Sequence, residues 1–396
     1  MSAGERGLGQ RPLLLGAART VFGRNRGALS SVRVDDLAAL PLAALTSRHP
    51  SLAACVDDVV MGNTNGAGED NRNVARMAAL LAGMPESTPG VTVNRLCGSG
   101  GEAVVQASRA IRSGDLDCVL AGGVEGMSRA PFVLPKPEVS LPTTQPIEST
   151  TVGWRMINPR FPKEWTKSLG ACVENTAAKH AISRAEQDAW ALRSHQLASD
   201  AWDKNWMEDV LPVGRATRDE SIRADASIEA LAALPPAFVE GGTLTAGNSS
   251  PINDGAAALV LGNEMVADKL GVDTTTEFVS SSVIGVRPDQ FAEAPARAVQ
   301  RLLDRTGHTA EAIDVWEINE AFAAVVLAFL RDFPQIPHER VNAHGGAIAI
   351  GHPLGASMAR VVVDTAARLR LRGGGLGVAA ACIGVGQGMA LLIRSD

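Results

Sequence analysis

Two stretches of alternating strand-like and helix-like sequence, separated by residues 122–244, which lack that rhythm, constrain what this chain can fold into. In the first stretch the apolar pattern predicts strands over 13–17, 58–62, 90–93 and 116–121, with helices near 35–45 and 75–81. A further helix follows residue 97, with Val104, Ala107 and Ile111 at helical spacing and Gly114 closing it. The second stretch predicts strands over 256–261 and 315–318, helices over 321–330 and 357–369, and a closing hairpin of 376–381 and 389–393. Such alternation marks the α/β class. It divides the chain into an N-terminal α/β half over 1–121 completed by 245–271, an inserted region over 122–244 rich in Pro, Trp and charge, and a C-terminal α/β half over 272–396. Two such halves meeting face to face would gather their strand-to-helix turns around one cleft. In letters the halves share only Val93-Asn94 and Val341-Asn342 before a Gly-rich turn, too little to establish a repeat.

A chain of 396 residues with 45% hydrophobic content can bury two or three packed units. Its net charge of −6 and lack of a long basic run speak against nucleic acid or an anionic membrane as partner, so an anionic small ligand would need a local basic site. No apolar stretch is long enough to span a bilayer, residues 1–12 lead into no signal-type apolar region, and the C-terminal residues are not a peroxisomal tripeptide; the cytoplasm is the expected compartment. Five cysteines, Cys55, Cys97, Cys118, Cys172 and Cys382, contain no C-x-x-C pair, which argues against a disulfide framework and a zinc knuckle.

Four segments can carry chemistry. Cys97 lies between a strand and a helix start, where unpaired backbone N–H groups and the helix dipole favour a thiolate, although most cysteines in such settings are small buried hydrophobes. Ser99 fails as a hydrolase-type nucleophile because Cys97 stands where the first Gly of G-x-S-x-G belongs. His352, in the Gly-rich loop 345–357, suits a general base that must reach a nucleophile on another element; His344 on the same loop is a competitor that spacing does not exclude. Cys382 opens Cys382-Ile383-Gly384-Val385-Gly386-Gln387-Gly388, whose glycines allow a backbone N–H to approach an oxyanion and which starts too near the C-terminus for a dinucleotide fingerprint. Asn319, at a strand-to-helix junction, either caps the helix or holds a water against a substrate carbonyl.

In this order the four segments resemble the thiolase family, over nearly the whole chain. Val93-Asn94-Arg95-Leu96-Cys97-Gly98-Ser99-Gly100 is similar to the family's nucleophile segment, Asn319-Glu320-Ala321-Phe322-Ala323 to its N-E-A-F-A box, 345–355 to its G-H-P segment, and 382–388 to its C-x-G-x-G-x-G turn. Thr245-Ala246-Gly247-Asn248-Ser249-Ser250 with Asn253-Asp254-Gly255 is similar to the strand that returns from the CoA-binding loop domain. The resemblance implies a thiolase fold of two similar five-layered α/β halves with an inserted loop domain, assembled as a homodimer or homotetramer. It further implies an acyltransferase that cleaves a 3-ketoacyl-CoA to acetyl-CoA and a shortened acyl-CoA, or runs the reverse Claisen condensation. Coenzyme A would be a co-substrate, with no permanently bound cofactor and no metal.

By the same resemblance Cys97 attacks the 3-keto carbonyl with His352 as its base, and Cys382 protonates the departing enolate. His352 and a water on Asn319 hold the enolate oxygen, and the backbone N–H groups of Cys97 and Gly384 hold the tetrahedral oxyanion. Ser250 would contact pantetheine, Arg223 the region of the CoA nucleotide, and Leu169 and Phe322 the substrate. Departures from the family pattern are His344 for an Asn, Met358 for a Gly, Pro251 for a Gly after Ser250, and Pro235 where a basic residue is common. Absence of His-Met near 168–170 weighs against a short-chain biosynthetic acetoacetyl-CoA thiolase. The segments 68–76 and 151–159 are closer in style to the degradative branch (fatty-acid, sterol or aromatic catabolism), in particular β-ketoadipyl-CoA thiolases. A terminal carboxylate on such an acyl chain would want a cation, with Arg72, Arg76 and Arg155 as candidates. Asn319 stands where a ketoacyl synthase would carry a second His, and a non-catalytic acyl-CoA-binding paralogue would be expected to lose one of Cys97, His352 and Cys382.

Overall fold

The computed structural model describes residues 9–396 apart from 208 and 275. The first half runs β1 (Leu13–Thr20), α1 (Val34–Arg48), β2 (Asp58–Gly62), α2 (Val74–Leu81), β3 (Gly90–Val93), α3 (Ser99–Ser113) and β4 (Cys118–Gly126). An excursion then carries α4 (Leu169–Lys179) and α5 (Arg184–Asp203) before the chain returns as β5 (Asn253–Gly262). The second half runs β6 (Glu277–Gly285), α6 (Ala294–Thr306), β7 (Val315–Ile318), α7 (Ala323–Asp332), α8 (Leu354–Arg372), β8 (Gly375–Ile383) and β9 (Gln387–Ser395).

The strands lie in the order β7-β8-β9-β6-β1-β5-β4-β2-β3, with the halves meeting where Leu13 of β1 pairs with Glu277 of β6. Outward from that seam each half repeats the same pairings: antiparallel (β1 with β5, β6 with β9), antiparallel (β5 with β4, β9 with β8), then parallel (β4 with β2, β8 with β7). Even the bulges match, Leu15 being skipped in β1 and Val279 in β6. The outermost parallel strand is β3 in the first half and a single bridge between Trp316 and Val341 in the second. The repeat is therefore one of topology. The two Val-Asn pairs do not share a register, since Val93 lies beside Gly62 at the end of β2 and Val341 beside Trp316, the second residue of β7.

Helices α3 and α8 pack on each other between the two halves of the sheet, α1 and α2 cover one outer face, and α6 and α7 join the opposite core, so that helices and strands alternate in five layers. Strands β4 and β5, with helices on both faces, bury every residue, which explains their near-continuous apolar letters. Each Leu or Val so buried contributes about 1.5–3 kcal/mol. The central helices approach closely at Gly100 of α3, where a Cβ would stand 2.8 Å from the Ala359 nitrogen and the Gly355 oxygen.

Two second-half elements escape the apolar pattern. Strand β6 is interrupted by Ser280-Ser281-Ser282, and α6 opens on Pro295, tolerated in a first turn. Helix α8 starts at Leu354, three residues earlier than its spacing predicts, so His352 sits immediately before its first turn. Among the described residues no helix is long and apolar enough to cross a membrane.

Candidate active site

The turn after β3 is held by its own side chains. Asn94 Oδ1 accepts the Leu96 N–H (2.9 Å), while Ser99 Oγ accepts the Arg95 N–H (2.9 Å) and donates to the Leu96 carbonyl (2.6 Å). Leu96 takes a left-handed φ of 48°, a conformation that costs a branched residue about 1–3 kcal/mol and recurs at functional turns. This geometry delivers Cys97 to a buried position, 8% exposed, and leaves Ser99 engaged in its own turn. The expected thiolate is not favoured here. Burial pushes the Cys97 thiol up to about 11, and the N–H groups of Gly384 and of Cys97 itself offset this only in part. Desolvation outweighs these two donors.

Gly384 comes from the β8–β9 hairpin, whose turn places Val385 and Gly386 at φ 63° and 76°. Cys382, 1% exposed, opens that turn, and its thiol is raised by burial and by the charge that Cys97 would carry if ionised, so the two sulfurs lie within electrostatic reach. A Cβ at Gly384 would stand 3.5 Å from Leu96 and 3.8 Å from Leu169, which brings the first residue of α4 to the same place.

His352 is fixed from two sides. Its N–H donates to Asn253 Oδ1 (2.9 Å), and its Nδ1 lies 2.6 Å from Ser357 Oγ. Because Ser357 donates its own proton to the Pro353 carbonyl (2.8 Å), Nδ1 must be the protonated nitrogen and Nε2 presents a lone pair. Nε2 is buried and has no protein partner, and burial with the charge of Arg360 pushes the imidazole down to about 3. It is a neutral base at physiological pH. Asn319 is tied by its backbone N–H to the Ala380 carbonyl (2.8 Å), while both polar atoms of its buried side chain lack protein partners, a state that costs about 1–3 kcal/mol per group unless another molecule satisfies them.

Beside Asn319, the Ser250 N–H donates to the Ala321 carbonyl (3.0 Å), Ser249 bridges Phe322, and Phe322 meets Phe238 edge-on at 5.6 Å. Arg223 stands apart on the excursion, its N–H on His195 Nδ1 (3.2 Å) and its side chain exposed; neighbouring Ser221 reaches Asn253 Nδ2 at 3.1 Å. Arg76 donates both Nη atoms to the carbonyls of Thr88 and Glu86.

His344 does not join the cluster. It stacks on Trp206 at 4.7 Å, and its charged neighbours are Arg368, Asp364 and Lys204. Asp364 lies about 15 Å along α8 from the helix start, at 1.5 Å per residue. Burial pushes the His344 imidazole down to about 4, against 6.5 for an ordinary imidazole. Between those values the unfolded chain binds the extra proton, so this group removes stability as pH falls through the window. His344→Asn is expected to lose less stability than wild type between pH 7 and pH 5 in urea unfolding; an equal loss in both proteins would refute the neutral assignment.

Four further residues have contacts at the site and were given no role by the sequence: Ser357, Asn253, Glu320 and Glu125. The first three lie within the motif segments; Glu125 lies outside them, and its signal is a polar letter in the Gly-rich run Gly122-Gly123-Val124-Glu125-Gly126.

Comparison with known proteins places nearly the whole chain in one family. Residues 13–265 match the thiolase N-terminal domain and residues 272–395 the thiolase C-terminal domain. A Pseudomonas aeruginosa beta-ketoadipyl-CoA thiolase is 47% identical over 390 residues, covering 96% of this chain and 97% of that protein. An Escherichia coli K12 3-oxoadipyl-CoA/3-oxo-5,6-dehydrosuberyl-CoA thiolase is 46% identical, covering 95% and 97%. Among solved structures, human mitochondrial 3-ketoacyl-CoA thiolase in complex with CoA superposes with a TM-score of 0.91 at 33% identity, covering 98% of this chain and 99% of that one. The chain is a member of the thiolase family of acyltransferases and has the thiolase fold.

Proposed function

We propose that this thiolase cleaves a 3-ketoacyl-CoA whose acyl chain ends in a carboxylate, of the 3-ketoadipyl-CoA type, through an acyl-thioester on Cys97. The observation that carries the mechanism is the neutral, buried His352, with Nδ1 fixed as donor and Nε2 unpartnered, in a protein whose Cys97 thiol is held protonated by burial. Neither group ionises alone at neutral pH, so His352 accepts the thiol proton as sulfur attacks the 3-keto carbon. The N–H groups of Cys97 and Gly384 stabilise the oxyanion, an effect worth about 10²–10³ in rate per donor.

Collapse breaks the bond between C2 and C3. The electron pair moves into an acetyl-CoA enolate, its oxygen held by the imidazole and by a water on Asn319. Cys382 donates its proton to C2; burial raises its pKa, so the thiol carries the proton that it gives up. A second CoA gives its thiol proton to the Cys382 thiolate and attacks the Cys97 thioester. The tetrahedral adduct expels Cys97 as a thiolate that recovers the proton held by His352, and the shortened acyl group leaves on CoA. Ser250, Phe322 and Leu169 line the approach to this centre, and Arg223 is the cation offered to the nucleotide end of CoA.

The acyl specificity is supported by the names of the relatives and by the sequence segments 68–76 and 151–159. With Arg76 engaged by carbonyls, Arg72 and Arg155 remain as partners for the terminal carboxylate. A cytoplasmic homodimer or homotetramer, serving aromatic catabolism rather than fatty-acid β-oxidation, completes the proposal. CoA-dependent loss of 3-ketoacyl-CoA absorbance should be fastest with 3-ketoadipyl-CoA, slower with a medium-chain 3-ketoacyl-CoA and slowest with acetoacetyl-CoA. A preference for acetoacetyl-CoA would reassign the enzyme to the biosynthetic class, and CoA binding without turnover of any substrate would point to a non-catalytic paralogue.

A further inference from the structure

Glu125 is the penultimate residue of β4 and is 1% exposed. A carboxylate buried so deeply is expensive unless its lone pairs are met. Four neutral donors offset part of that cost, the N–H of Thr64 (3.0 Å), the N–H of Asn65 (3.2 Å), Asn63 Nδ2 (3.3 Å) and the N–H of Gly355 (2.9 Å), and burial still raises the carboxyl to about 7.

These donors belong to both halves of the site. Gly355 lies in the first turn of α8, three residues after His352. On the other side, the Thr64 carbonyl accepts Asn94 Nδ2 (2.9 Å), and Asn94 Oδ1 accepts the N–H of Leu96, the left-handed residue that precedes Cys97. A continuous chain of hydrogen bonds thus runs from the Cys97 turn through Asn94, Thr64 and Glu125 to the His352 turn.

We infer that Glu125 is a positioning residue for catalysis, its carboxylate fixing the separation between the turn that carries the nucleophile and the turn that carries the base. This rests on the roles given above to Cys97 and His352. The Thr64 and Gly355 N–H groups share one oxygen, Oε2, while the Asn65 N–H and Asn63 Nδ2 share Oε1. A glutamine that keeps its oxygen on the first pair turns its NH2 toward the second, so the 63–65 turn that leads to Asn94 must shift. The other contacts of the base, Ser357 on its ring and Asn253 on its backbone N–H, orient His352 but reach no residue of the Cys97 turn.

The test measures kcat and the KM for CoA in wild type, Glu125→Gln, Asn94→Ala and the double variant, each normalised to the fraction of Cys97 that forms an acyl-enzyme, counted by peptide-resolved mass spectrometry after a rapid quench. Displacement of a reacting group by about 1 Å costs on the order of 10²-fold, so each single variant is expected to lose about 10–100-fold in kcat per counted Cys97, with the KM for CoA changed by less than about threefold. Because both substitutions cut one chain, the double variant should be no slower than the slower single variant. A purely structural role would lower the countable Cys97 and leave kcat per site unchanged. That result, or multiplicative losses in the double variant, would overturn the inference. If Glu125→Gln fails to fold, Asn94→Ala decides alone, a per-site kcat within about twofold of wild type being the refuting outcome. Failure of wild type itself to turn over any 3-ketoacyl-CoA would instead refute the roles of Cys97 and His352.

Discussion

Cys97→Ser is expected to lower CoA-dependent thiolysis by about 10⁴-fold or more with the fold intact, because the serine hydroxyl ionises far less readily than a thiol and a weakly basic imidazole cannot compensate. The buried setting sharpens the effect. His352 is pushed down to about 3, so it drives proton transfer only when the new carbon–sulfur bond forms in the same event. Oxygen in place of sulfur makes that event harder and yields an ester that is less reactive toward CoA. His352→Ala should cost a comparable factor, and the double variant little more, since nucleophile and base act as one unit. The assay is the substrate panel above, with circular dichroism and the thermal midpoint as controls. Turnover near the wild-type rate in either variant would remove the assignment.

The largest effect on stability is expected from Glu320→Ala. The Glu320 carboxylate is fully buried and accepts Trp190 Nε1 (2.9 Å), Ser194 Oγ (2.7 Å), Asn342 Nδ2 (2.9 Å) and the Ile348 N–H (3.2 Å). Two of these donors sit on α5 of the excursion and two on the second half, so one side chain fastens the inserted region to the segment that leads to His352. Alanine leaves Trp190 Nε1, Ser194 Oγ and the Ile348 N–H without their acceptor, takes one of two acceptors from Asn342 Nδ2, and opens a cavity. Removing one member of such a network costs about 3–5 kcal/mol. Urea unfolding followed by tryptophan fluorescence reports this directly, because Trp190 is one of the orphaned donors. A midpoint equal to that of wild type would show that the network does not carry the junction, and Glu320→Gln, which keeps one acceptor oxygen, should fall between the two.

Legibility in the sequence followed the range of the forces. Strands β2, β3 and β7 have the bounds that their apolar letters predict, since each is a short run stopped by local turn signals. Strand β6 was illegible because its neighbours, not its serines, define it. The repeat of the two halves lies in strand pairing and in matched bulges, neither of which leaves a mark on letters 264 residues apart, the offset between Leu14 and Phe278. For the site, motif letters were enough to select Cys97, Cys382, Asn319 and His352 as candidates. The ionisation of Cys97 differs from the sequence expectation because the helix start is visible in the local sequence whereas the burial that raises the thiol is set by the tertiary fold. His344 and His352 were inseparable until Trp206 was seen to take the former.

The position of β5 has a consequence for synthesis on the ribosome. Strand β5 pairs with both β1 and β4, and it follows β4 only after an excursion of about 125 residues. At roughly 5–20 residues per second the nascent chain exposes the facing edges of β1 and β4 for roughly 6–25 s before the strand that joins them has been made. Those edges are apolar and unpaired throughout that interval. The inserted region is thus translated while its host half is still open, and a nascent-chain chaperone has its longest opportunity to act between residues 126 and 253.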